Sequence, residues 1–170
     1  EDTGRREECK KSEMAGLRDL GLYPELLDLQ EYFGKSNDLK NKLSGLNGLW
    51  VTGGNTFVLR QAMKLSGLDE ILTQELTERD DFVYAGYSAA GCVLSTSLKG
   101  YDIVDDATEM PYEELKETLW VGLGLVDFYF LPHYDSDHPE SADIEKELKF
   151  CQDNNMPYKT LRDGEVIILE

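Results

Sequence analysis

Cysteine, histidine, basic residues and long apolar runs are all scarce in this chain, and each scarcity excludes something. Its three cysteines (Cys9, Cys92 and Cys151) are far apart and odd in number. That suits a reducing, cytoplasmic compartment better than a disulfide framework, and it lacks the spacing of zinc ligands. Lys and Arg total 17 against 34 Asp and Glu, for a formal net charge of −17. Nucleic acid and anionic membrane surfaces, which bind through clustered cations, are therefore excluded as partners. No stretch approaches the roughly 20 apolar residues of a membrane span. The opening residues are polar and charged, so they read as neither a signal peptide nor a transit sequence. Only two histidines exist, His133 and His138, so any imidazole chemistry has two candidates.

What is present is a composition of 41% apolar and 30% charged residues over 170 positions, that of one globular domain with its own core. Strand and helix patterns alternate. Residues 5–20 read as a helix, 24–29 as a short strand, 36–43 as a helix and 49–52 as a buried strand ended by Gly53-Gly54. Asn55 then caps a helix with Val58, Ala62 and Leu65 on one face, and Leu68, Ile71, Leu72 and Leu76 form a second stripe. A strand at 82–85 follows, then a loop over 97–112 and a strand at 128–131 stopped by Pro132. Ser141 is expected to cap a helix carrying Ile144, Leu148 and Cys151, and 166–169 closes as a strand. Such alternation predicts an α/β fold, a mostly parallel sheet with helices on both faces. The chain does not start with Met and opens on a helix, whereas parallel α/β folds normally begin with a strand. A fragment or trimmed chain is therefore expected.

Ligands in these sheets bind beyond the carboxyl ends of the strands. Three segments lie at such ends. In Val83-Tyr84-Ala85-Gly86-Tyr87-Ser88-Ala89-Ala90-Gly91-Cys92, an apolar run stops at glycine, a serine follows, and small residues come next. This is the pattern of a strand turning sharply into a helix with the serine hydroxyl exposed at the corner. Taken alone, Ser88 could equally be an ordinary helix cap. His133, in Leu131-Pro132-His133-Tyr134, follows a buried strand and could serve as a general base, or simply bond backbone at the strand end. His138 reads as a loop residue. A third group should hold the imidazole's tautomer, and Asp102, Asp105, Asp106, Asp135 and Asp137 all compete for that place. Gly53-Gly54-Asn55 offers unhindered backbone N–H groups which, with Ala89 N–H, could form an oxyanion hole. The same triplet is also a common way to begin a helix, and it is not a phosphate loop.

Together these segments resemble the dipeptidase E/cyanophycinase family of serine peptidases. Thr52-Gly53-Gly54-Asn55-Thr56-Phe57 with Leu59 is similar to that family's G-G-N-T-F-x-L. Gly86-Tyr87-Ser88-Ala89 resembles its nucleophile turn, and Leu131-Pro132-His133-Tyr134 its histidine segment. Ser88 follows Asn55 by 33 positions and precedes His133 by 45, in the family's order. The resemblance runs from about residue 16 to the end and implies a single domain over 1–170 that lacks the family's first strand. It further implies a three-layer fold like that of class I glutamine amidotransferases, with no metal or organic cofactor. On that reading Ser88 is the nucleophile, His133 the base and Asp102 the group orienting it. Gly53, Gly54, Asn55 and Ala89 would bind substrate and oxyanion, small peptides would be the substrates, and a homodimer is allowed for.

Two departures bear on function. The family's S-A-G-A is here Ser88-Ala89-Ala90-Gly91, which puts a methyl at a tight strand–helix contact. The aspartyl dipeptidases also carry an arginine after the histidine segment, absent from Glu140-Ser141-Ala142-Asp143, so strict specificity for N-terminal Asp is not implied. The alternative is a catalytically silent homologue that binds a small ligand or partner in the same cleft. An α/β-hydrolase esterase ranks last, because that fold places a larger region between its serine and histidine. Cys92, a helical turn beyond the elbow, is a poor nucleophile candidate.

Overall fold

Two pairs of parallel strands carry the chain, and each pair is closed by a helical crossover. The computed structural model describes residues 2–169. Helix α1 (Asp2–Asp19) comes first, then α2 (Ser36–Leu43), β1 (Gly48–Val51), α3 (Thr56–Ser66), α4 (Leu68–Glu78), β2 (Val83–Gly86) and the single-turn helix α5 (Ala89–Cys92). Strand β3 (Tyr129–Leu131), helix α6 (Ser141–Asp153) and strand β4 (Tyr158–Thr160) complete the order. β1 pairs with β2 from Gly48↔Val83 to Val51↔Gly86, and β3 with β4 from Tyr129↔Tyr158 to Leu131↔Thr160. Parallel neighbours need such crossovers, which here are α3–α4 and α6. The expected α/β class with parallel strands is what the structure shows.

The core lies in two clusters. Leu39 and Leu43 of α2, Met63 of α3, and Leu68, Ile71 and Leu72 of α4 close over Phe82 and Val93. The other cluster joins Phe57, Cys92, Leu98, Tyr101, Tyr129, Leu131, Ile144 and Cys151. Each fully buried aliphatic or aromatic side chain contributes about 1.5–3 kcal/mol by leaving water, so these clusters anchor the strands that end at the site.

Among the described residues no ladder joins the two strand pairs. Instead, the buried Tyr101 hydroxyl accepts from Phe130 N–H (3.0 Å) and lies 3.2 Å from Phe130 C=O, to which it can donate. Ser95 Oγ supports it at 2.9 Å and donates to Phe128 C=O at 3.1 Å. Side chains thus satisfy the edge of β3 where a strand would otherwise lie.

Several expected elements differ. Residues 24–28 form no strand; Asp28 Oδ1 accepts Gln30 N–H and caps a single 3₁₀ turn, Leu29–Tyr32. Residues 166–169 form no strand either, and Val166 and Ile168 are 79% and 81% exposed. The last strand is instead β4, too short and too polar for its pattern to stand out. Ser141 is the first residue of α6 rather than its cap, and its Oγ accepts Ser136 N–H (3.4 Å). The buried face of α3 includes Arg60, Gln61 and Ser66 as well as Ala62. Arg60 reaches Val121 C=O and Asp69, and Gln61 reaches Glu109 C=O, so this face is tied to the loop before β3 by polar contacts.

Candidate active site

Ser88 stands at the corner between β2 and α5 with φ 53° and ψ −120°. A residue with a Cβ avoids that region, at a cost of order 1–3 kcal/mol, unless its surroundings impose it. Here they do. A Cβ on Gly86 would lie 2.3 Å from Val51 C=O and 2.6 Å from the Ala90 methyl. A Cβ on Gly91 would lie 2.3 Å from the Phe130 ring. The elbow is therefore pressed against β1 on one side and β3 on the other, and only glycine fits at both contacts. The Ala90 methyl is completely buried and occupies the space that Gly86 leaves open. The departure from the family's S-A-G-A is thus accommodated by packing.

The Gly53-Gly54-Asn55 turn sits beside this corner. A Cβ on Gly53 would fall 3.2 Å from Ser88 Cβ, which places the two segments in contact. Gly54 adopts φ +139° and faces open space. Asn55 Oδ1 accepts from Phe57 N–H (2.8 Å) and Val58 N–H (3.1 Å), capping α3 as expected. Its amide donates to Asp106 C=O and to Glu109, so this side chain is engaged in structure. Asp105 Oδ2 accepts Thr56 N–H at 2.8 Å and fixes the same turn from the other side. Among the described residues, Gly54 N–H and Ala89 N–H donate to no protein acceptor. Burial pushes the Cys92 thiol well above its ordinary pKa, which keeps it protonated and inert.

Helix α1 reaches the corner through Glu13. Its carboxylate accepts from the Tyr87 hydroxyl (2.6 Å) and from Trp50 Nε1–H (3.2 Å). Burial, and then the Glu13 carboxylate, push the Tyr87 phenol up to about 12.

His133 lies two residues beyond β3, with φ 59° and a side chain 15% exposed. Its Nδ1 is 2.6 Å from Asp163 Oδ1. The β3–β4 pairing makes this meeting possible. Past the ladder, Leu161 N–H donates to Leu131 C=O and Tyr134 N–H to Leu161 C=O, both at 3.0 Å. Asp163 N–H then donates to Ser136 Oγ (2.9 Å), which holds the two loops together. Arg162 pairs with Asp135 alongside. The His138 ring stacks on His133, with centroids 3.8 Å apart and planes 10° from parallel. Among the described residues Ser88 Oγ makes no hydrogen bond, to His133 or otherwise.

Asp102, expected at the imidazole, is instead exposed, and its Oδ1 accepts Gly100 N–H (2.9 Å) in its own turn. That turn packs on α6, where a Cβ on Gly100 would lie 2.6 Å from the Phe150 ring. Of its rivals, Asp105 holds Thr56, Asp106 caps Thr108 at 2.8 Å, and Asp135 meets Arg162. The carboxylate on His133 is Asp163, which sequence reasoning missed. Its signal was a Pro157-preceded Tyr-Lys-Thr strand ended by an Arg-Asp-Gly turn.

The model of peptidase family S51 matches residues 3–170. The chain belongs to peptidase family S51. The resemblance to the dipeptidase E family is thereby borne out. Among S51-like proteins, an uncharacterised peptidase of Listeria monocytogenes is 33% identical over 121 residues, covering 71% of this chain and 55% of its own. A peptidase E of Streptomyces coelicolor is 30% identical over 134 residues, covering 76% of this chain and 51% of its own. A crystal structure of a Listeria monocytogenes protein assigned as a peptidase E superposes with a TM-score of 0.67 and 28% identity, over 89% of this chain and 72% of that one. The S51 chain described here spans about half the length of the curated relatives it matches.

Proposed function

We propose that this chain carries the catalytic group of a serine peptidase acting on small peptides. The observation that carries the reading is the backbone of Ser88, φ 53° and ψ −120°, held at a strand–helix corner by two glycine contacts. Such strain persists where it presents a side chain for use. Ser88 Oγ attacks the scissile carbonyl carbon, and His133 Nε2 takes the hydroxyl proton as the bond forms. Asp163 at Nδ1 fixes the tautomer and stabilises the imidazolium. Gly54 and Ala89 N–H groups receive the oxyanion, each donor contributing about 2.7–4 kcal/mol in the subtilisin precedent. His133 returns the proton to the leaving amine, and water activated by the same imidazole then frees the acyl group from Ser88. The absence of a Ser88 Oγ hydrogen bond among the described residues does not count against this reading, because catalytic hydrogen bonds often form or tighten only when substrate binds.

The preference for small peptides rests on the dipeptidase E resemblance and on the peptidase E relatives. Three unpaired cysteines support a reducing, cytoplasmic setting. Among the described residues no helix is long and apolar enough to cross a membrane. The deciding experiment is mass-spectrometric turnover of a dipeptide and tripeptide library by the wild type and Ser88→Ala. Cleavage lost in the mutant supports the peptidase. No cleavage by folded wild type, with a ligand-induced rise in melting temperature, would replace it with the silent binding homologue.

A further inference from the structure

We propose that His133, His138 and Glu140 form a zinc-binding site that withdraws the His133 imidazole from catalysis. Each of the three residues offers one ligand atom, and these atoms lie within 4.8 Å of one another. The inference rests on the role given to His133 above, but the site itself does not.

The donors are held from behind. Asp163 occupies His133 Nδ1 at 2.6 Å and leaves Nε2 as the ring nitrogen that faces away. A carboxylate behind an imidazole also orients a metal-bound histidine and raises its basicity. Stacking at 3.8 Å, with planes 10° from parallel, keeps the His138 ring against His133. Glu140 is tied to that ring twice: its N–H donates to His138 Nδ1 at 3.3 Å, and its Oε2 lies 3.9 Å from the same nitrogen. The side chains are 15%, 31% and 44% exposed, so the group is anchored yet open to an entering ion.

The chemistry of the set selects the ion. Two imidazoles and one carboxylate, with one position left to water, is a three-ligand arrangement that zinc favours. Magnesium and calcium prefer oxygen ligands throughout. Zinc bonds of about 2.1 Å place tetrahedral donors roughly 3.4 Å apart. Closing from the present spacing therefore needs side-chain rotation of His138 and Glu140, which lie outside the helix on the turn before α6. Once zinc occupies Nε2, that lone pair is unavailable to the Ser88 proton. The ion acts as a reversible off-switch and takes no part in turnover.

The test is calorimetric titration of the full chain with zinc chloride in a non-chelating buffer. Wild type and Ser88→Ala should each take up one zinc, magnesium should give no binding heat, and Cys9→Ser should match wild type, excluding the exposed thiol. His138→Ala and Glu140→Gln should each weaken zinc at least tenfold. In turnover assays, zinc should silence wild type, chelator should restore it, and Glu140→Gln should need at least tenfold more zinc. Zinc uptake unchanged in both variants, or no saturable uptake by wild type, overturns the site. Uptake lost in both variants of a chain that cleaves no peptide would keep the zinc site and retire the peptidase reading.

Discussion

His133 Nδ1 and Asp163 Oδ1 meet at 2.6 Å, across two loops that follow the parallel strands β3 and β4. Asp163→Asn should therefore cut kcat/KM by about 10³–10⁴, the loss expected when the imidazole's tautomer is no longer specified. Asp102→Asn, which alters only a turn on α6, should stay within about threefold of wild type, well under 1 kcal/mol. Steady-state kinetics on a cleaved peptide decides between them, and the reverse ranking would return the role to Asp102.

Ser88 is held in a conformation that glycine adopts freely. Ser88→Gly should abolish turnover yet raise stability by about 1–2 kcal/mol, the released strain. For a chain of this size that is a rise of roughly 2–8 °C in Tm. Calorimetry showing equal or lower Tm would mean that the elbow stores no strain.

Glu147 is buried, and its Oε2 has no hydrogen-bond partner among the described residues. Burial, and then the charges of Asp105, Glu140, Asp102 and Asp143, push its carboxyl from 4.5 up to about 9. Between those values the folded chain keeps a proton that the unfolded chain releases, so this residue makes stability fall as pH rises, levelling off above the upper value. Glu147→Gln should flatten that fall and raise Tm at pH 8 by several degrees, with little change at pH 5. Parallel stability curves for the two proteins would contradict the assignment.

Gly91→Ala forces a methyl into the Phe130 ring, 2.3 Å from its nearest atom. Overpacking of this kind costs about 1–3 kcal/mol, and here it should also displace Ser88, the proposed nucleophile. Trimming the ring in Gly91→Ala/Phe130→Leu should restore part of the Tm. Ala90→Gly, which returns the family's glycine, should keep activity while losing about 1 kcal/mol of helix and packing stability. Denaturant unfolding measured beside kcat separates these effects.

The features legible in the sequence were those whose chemistry is local. Gly53-Gly54-Asn55 announces a capped helix, and Gly86 to Gly91 announces a tight corner, because each needs particular residues within a few positions. Asp163 was not legible. Its Arg-Asp-Gly turn marks the end of a strand but does not rank it above Asp102 or Asp135, and the register between β3 and β4 is what brings that turn to His133. The exposed pattern at 166–169 misled for the opposite reason: its residues suit a strand, but among the described residues no strand pairs with them.

Tyr101 sits at the join between the two strand pairs. Ser88 and His133, the proposed nucleophile and base, follow strands of different pairs, and among the described residues no ladder spans the join. The Tyr101 phenol on Phe130, the Ser95 hydroxyl on Phe128 and the contact of Gly91 with the Phe130 ring are among the links across that join. The proposed machinery is thus assembled like two jaws on a shared hinge, and Tyr101→Phe should loosen their alignment without touching either proposed reacting group.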